Sequence, residues 1–200
     1  TEFLDTKFNI IDTPGSDDFV GGVYSAFSVA ENGILLVNAT QGVEVGTEIF
    51  ARHAVKHQKP LIIAVNQLDN EKQDWQATID SLKATFGNKV VLVQYPVNPG
   101  PDFDTFIDVL KMKMYKFKDE NGTRESFEIP DEYKEEALAL QQQLVEMAAE
   151  NDETLMETFF DKGVLTEDEI RAGMKAGMQM GDILPVFCLS AKKDIGVKRI

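Results

Sequence analysis

The chain is short of several residue types, and each shortage narrows what it can be. A single cysteine, Cys188, excludes an internal disulfide and fits a reducing compartment. Basic residues number 20 against 34 acidic ones, which leaves a net charge of −14. A chain this acidic does not bind nucleic acid through bulk electrostatics, because that needs a basic surface. No apolar run approaches the ~18 residues of a membrane span, and there is no basic-then-apolar leader. The two histidines, His53 and His57, lie four apart on one helix face, at zinc-ligand spacing. No cysteine, third histidine or carboxylate motif accompanies them, so a solvated helix face is favoured over a metal site.

What is present suits one domain, or one domain with a large insert: 200 residues, 43% hydrophobic and 9% aromatic. The organising stretch is Lys7-Phe8-Asn9-Ile10-Ile11-Asp12-Thr13-Pro14-Gly15. Phe8 to Ile11 predicts a short buried strand. It ends in a turn with a carboxylate at its mouth. Ligands of open α/β sheets sit outside the carboxyl ends of the strands. There Asp12 can hold Mg²⁺, directly or through water, and Gly15 can bring a backbone N–H to a terminal phosphate. An ordinary strand-ending turn has the same composition.

Further on, strands are expected over 34–37 and 60–65, and helices over 44–57 and 74–86. A looser helix is expected within 16–32, where Gly21-Gly22 lowers helix propensity. This alternation indicates a parallel, doubly wound sheet. The pattern then changes: strands over 90–97 and 106–117, a turn at Asn121-Gly122, and helices over 132–149, 153–160 and 167–178. Thr166 and Glu169 form a capping-box pair before the last helix. Residues 184–189 return to the apolar strand type. Between Lys118 and Glu169 lie 17 acidic and 4 basic residues, nearly the whole excess charge. So sharp a shift indicates a distinct subdomain.

Two more strand ends carry chemistry. Asn66-Gln67-Leu68-Asp69 follows the third strand. The Asp69 carboxylate can accept hydrogens from guanine N1 and its exocyclic amine, a pair that adenine does not offer. Asn66 can brace the loop and reach the base. A polar loop with an Asx turn is the plainer reading. Ser190-Ala191 follows the last strand, where a backbone N–H can meet the guanine carbonyl; a helix N-cap is the plainer reading there. Cys188 alternates within a core strand as a buried thiol. Met174, Met178 and Met180 fit core or gap-filling roles.

In this order, each at a strand end, these stretches resemble the guanine-nucleotide-binding domain of translational GTPases. "NIIDTPG", "GILLVNATQGVEVGTE", "PLIIAVNQLD", "VLKMKMYKF", "LVEMAAENDETLMETFF" and "CLSAKKDIGV" are similar to elongation factor G in particular, across nearly the whole chain. The resemblance implies a partial P-loop NTPase-type α/β fold with a doubly wound, mostly parallel sheet. Residues 1–88 and 182–200 would form the GTP-binding core, and 89–181 an inserted acidic α+β subdomain. It implies GTP/GDP and Mg²⁺ as ligands, with Asp12, Thr13, Pro14 and Gly15 at the nucleotide, Asp12 linked to Mg²⁺ (through water) and Gly15 the γ-phosphate sensor. Asn66, Gln67, Leu68 and Asp69 would hold guanine, with Ser190 and Ala191 behind it.

The resemblance also implies GTP hydrolysis in a cytoplasmic ribosomal translocase, with a ribosome-protection factor, a peptide-release factor or a non-hydrolysing binding module as alternatives. Its partners would be the ribosome and, through the insert, the ribosomal stalk protein. The acidic insert would make no direct nucleic-acid contact. No G-x-x-x-x-G-K-[ST] occurs here. The phosphate loop and first switch are therefore expected before Thr1, the chain reads as a piece of a longer protein, and alone it should bind nucleotide poorly. Two positions depart from the family. Ser16 stands where the family has the histidine that positions the attacking water, which implies slow hydrolysis. Gln67 stands where the family has a lysine stem over the guanine face, which implies weaker binding.

Overall fold

The computed structural model describes residues 2–3, 5–118 and 122–200. Strands β1 (Glu2–Phe3) and β2 (Thr6–Lys7) form a small antiparallel hairpin. Phe8–Ile11, expected as a buried strand, has no regular secondary structure, and Ile10 is 79% exposed. An apolar run becomes a buried strand only when a sheet and a covering layer receive it. A 3-10 turn at Asp17–Phe19 then leads into α1 (Val20–Val29), in which Val23 is buried. Gly21-Gly22 lie within its first turn.

The apolar runs that follow do form parallel strands. β3 (Gly33–Asn38), α2 (Val45–Lys56), β4 (Leu61–Asn66), α3 (Trp75–Phe86) and β5 (Val90–Leu92) alternate as expected. Asp74 caps α3, its carboxylate accepting from the Ala77 N–H at 2.9 Å. The expected strand 90–97 splits in two. β5 stays in the parallel sheet, while β6 (Gln94–Pro96) opens an antiparallel sheet. The expected strand 106–117 is a hairpin of β7 (Thr105–Asp108) and β8 (Lys113–Phe117), turned around Met112 at φ +50°. β9 (Arg124–Phe127) completes that sheet in the order β6-β7-β8-β9. Asn121 of the expected turn lies outside the described residues.

Three helices follow: α4 (Asp131–Glu150), α5 (Glu153–Lys162) and α6 (Glu167–Met180). The capping box of α6 is present. Thr166 Oγ1 accepts from the Glu169 N–H, and the Glu169 carboxylate accepts from the Thr166 N–H at 2.7 Å. Met174 packs into the core beside Ile170 and Ile183, whereas Met180 is exposed. β10 (Leu184–Cys188) returns to the parallel sheet, whose order is β3-β4-β10-β5. Ile63 and Val65 of β4 and Val186 and Cys188 of β10 are fully buried. Burial pushes the Cys188 thiol well above its ordinary range, which makes it an inert core residue.

The two sheets are stitched where β5 stops. Val93 N–H donates to Val186 O, and the buried Gln94 side chain takes the next β10 donor, Cys188 N–H, at 3.1 Å. A second stitch is ionic. Asp108 of β7, almost fully buried, pairs with Arg199 of the final 3-10 turn and also accepts from the Lys111 N–H.

Candidate base-recognition site

β4 ends at Asn66, and its amide oxygen accepts from the Ala191 N–H at 2.9 Å. That bond joins two of the expected stretches, which lie far apart in sequence. Gln67 then takes a left-handed conformation, φ +64°, with its side chain exposed. The turn sends Leu68 into the core, where it is fully buried. Both Leu68 backbone groups are used across the fold. Its N–H donates to Leu189 O at 3.2 Å, and its carbonyl accepts from the Gly100 N–H at 2.7 Å. Asp69 comes next, half-buried, and its carboxylate has no hydrogen-bond partner among the described residues.

The second loop is closed on itself. Ser190 is buried and exchanges both backbone hydrogen bonds with Ile195, at 3.1 and 3.0 Å. Its hydroxyl accepts from the Lys193 N–H at 3.2 Å. Gly196 holds the far end at φ +80°, where a Cβ would stand 2.1 Å from Cys188 O, so only glycine fits. The Ala191 N–H is thereby held in the loop that faces Asn66.

The first stretch behaves differently. Asp12, Pro14, Gly15 and Ser16 are exposed and Thr13 is half-buried. Among the described residues, no hydrogen bond joins Asp12 to Ser16 with the two base loops. The Ser16 carbonyl accepts from the Phe19 N–H and so starts the 3-10 turn.

His53 is half-buried rather than on a solvated face, stacked on Tyr24 with ring centroids 3.9 Å apart. Burial, then the neighbouring His57 and Lys56, hold its imidazole below the ordinary range. No group of three or more potential metal ligands gathers among the described residues. His53 is a packing residue between α1 and α2. A cavity of about 310 Å³ lined by Leu110, Arg171, Met174, Phe187 and Arg199 includes none of the expected site residues.

Sequence reasoning missed two residues here, and the left-handed backbone of Gln67. Gly100 caps the Leu68 carbonyl, and the Lys193 ammonium is bound by the carbonyls of Pro101 and Phe103. The run Asn98-Pro99-Gly100-Pro101 signals a tight turn. Nothing local says where that turn docks.

A sequence profile of the elongation factor Tu GTP binding domain matches residues 2–200. The chain is 34% identical over 196 residues to an "Elongation factor G-like protein" of Thermotoga maritima, covering 98% of this chain and 28% of that relative. A solved crystal structure of a Thermus thermophilus protein superposes with a TM-score of 0.84 at 29% identity, covering 94% of this chain and 28% of that one. The chain therefore spans just over a quarter of the length of both. With a parallel sheet ending in the Asn66 and Ala191 loops, and with the profile match running from end to end, the chain belongs to the elongation factor Tu GTP-binding domain family.

Proposed function

We propose that this chain is the guanine-binding part of a cytoplasmic translational GTPase resembling elongation factor G. The observation that carries this is the Asn66 side chain bonded to the Ala191 N–H beside the uncommitted carboxylate of Asp69. A free, half-buried carboxylate can accept from guanine N1 and the exocyclic amine together. The Asn66–Ala191 bond holds the two loops in register, so that the base finds both at once. Asp12 would bear on Mg²⁺ and Gly15 on the γ-phosphate, with Thr13 and Pro14 shaping the turn between them. Mg²⁺ would neutralise phosphate charge there; the protein's part is positioning and electrostatics.

In the full-length protein we assign ribosome-dependent GTP hydrolysis coupled to translocation. Ser16 cannot reach as far as a histidine or carry its positive charge, so hydrolysis should be slow. That substitution and Gln67 favour one second reading, a ribosome-binding module that keeps GTP as a conformational ligand. Single-turnover hydrolysis on ribosomes separates the two. Ser16→His should raise the rate by roughly tenfold or more. A wild-type rate equal to that of a standard elongation factor would contradict the role given to Ser16. A rate that stays at zero in both proteins would favour the binding module.

Within residues 89–181, the part beyond β5, which stays in the parallel sheet, would form an inserted subdomain that docks the ribosomal stalk protein and makes no direct nucleic-acid contact. In α4, Ala137 and Leu144 are buried while Glu135, Glu136 and Glu146 are exposed, so the acids face outward. Charge of that density speeds association with a basic patch and is weakened by salt. Reversing all three glutamates should slow stalk association at low salt. An unchanged rate would remove this face from the docking surface.

A further inference from the structure

The loop from Asn98 to Asp104 has no part in the guanine contacts assigned above, yet it touches both base loops. Gly100, at φ +124°, donates its N–H to Leu68 O at 2.7 Å, one residue before Asp69. The Lys193 ammonium, two residues after Ala191, is held by Pro101 O at 2.5 Å and Phe103 O at 3.4 Å. No carboxylate pairs with Lys193 among the described residues. Its charge is spent on backbone carbonyls of one loop.

That loop is itself rigid. Phe103 is fully buried and its N–H donates to Gly100 O at 2.8 Å. The Asn98 amide donates to Asp102 O and to the Asp104 carboxylate, and its oxygen accepts from the Thr105 N–H at 3.0 Å. Thr105 begins β7, so the loop is anchored directly on the antiparallel sheet.

We infer that Lys193, together with the 98–104 loop that binds it, is a positioning element for guanine selectivity. Resting on the guanine reading above, the inference gives the antiparallel sheet a direct hold on the base site. The loop clamps the Leu68 carbonyl on one side and the Ser190–Ile195 loop on the other. Between those clamps lie the Asp69 carboxylate and the Asn66–Ala191 hydrogen bond, which sets the spacing of the two base loops around one purine edge. Releasing Lys193 frees the second loop to drift from the first. The contact that suffers most is the one with the tightest geometry, the two-point contact of Asp69.

The test uses the full-length protein and compares affinity for GDP with affinity for IDP, whose base lacks the exocyclic amine. Lys193→Met should weaken GDP by about fivefold and IDP by less, so that the GDP/IDP preference falls. Lys193→Arg, which keeps the charge and donors, should retain the preference. Asn98→Ala, which touches neither base loop, should lower the preference in the same direction by loosening the 98–104 loop. It decides the matter if Lys193→Met does not fold. A purely structural role would lower thermal stability and leave the preference unchanged, and that result overturns the inference. Asp69→Asn serves as the control. If it fails to shift preference toward xanthine nucleotides, the guanine reading itself falls and takes this inference with it. If it does shift and the Lys193 and Asn98 variants keep the wild-type preference, only the positioning role is lost.

Discussion

Two turns in this molecule carry the expected site residues and have different fates. Asp12-Thr13-Pro14-Gly15 and Asn66-Gln67-Leu68-Asp69 both follow short apolar runs. The second is tied through two residues: Asn66 to Ala191, and Leu68 to Leu189 and to Gly100. The first is exposed and carries no bond to those loops among the described residues. Turn-forming residues allow a shape, and tertiary contacts decide whether it is held. The proposed base half of the site is thus built by contacts within this chain. The proposed phosphate half, Asp12 to Gly15, makes no such contact with the base loops among the described residues.

The contrast can be broken most sharply through side-chain truncation. Leu68→Ala should destabilise the fold by about 3 kcal/mol, because it opens a cavity in a site with no exposure. Ile10→Ala removes a similar side chain that is mostly in water, and should change stability by less than about 0.5 kcal/mol. Chemical denaturation of both variants measures the difference. Equal losses would mean that the Asp12 segment is packed after all.

A smaller contrast lies in the two glycines. Gly196→Ala would force a Cβ toward the Cys188 carbonyl in a left-handed conformation, at a cost of about 2 kcal/mol. Around Gly15, a Cβ would meet nothing within 4 Å. Gly15→Ala should leave melting unchanged within about 0.5 kcal/mol, and any effect should appear only in triphosphate binding. A marked melting loss for Gly15→Ala would erase the distinction between the two turns.

Much of the fold was legible from periodicity. The strands ending at Asn38, Asn66 and Cys188 and the helices from α2 to α6 appear close to where their apolar spacing puts them. Those segments meet their partners through repeated, regular contacts, which leave a regular trace in sequence. Three features left no such trace. Phe8–Ile11 has the residues of a strand without a place in either larger sheet. Val90–Val97 is one apolar run that changes sheet at Val93, because Gln94 bonds to Cys188 N–H where a β5 residue would otherwise pair. The 98–104 loop reads as a turn and nothing more. Its targets, Leu68 and Lys193, are distant in sequence and met by one and two hydrogen bonds respectively. The Asn66 and Ser190 stretches were legible as strand-end loops because each follows a parallel strand. Their mutual support was not, since a bond such as that from Ala191 N–H to Asn66 has no local signature.

The central claim is that Asp69 reads guanine. It is tested most directly by exchanging one atom of that side chain. In the full-length protein, calorimetric titration should show wild type preferring GDP to XDP. Asp69→Asn should reverse that order, because the amide donates where the carboxylate accepted and xanthine offers an oxygen in place of the exocyclic amine. A variant that still binds GDP as tightly as wild type, with no gain for XDP, would reduce the loop from Asn66 to Asp69 to an ordinary turn.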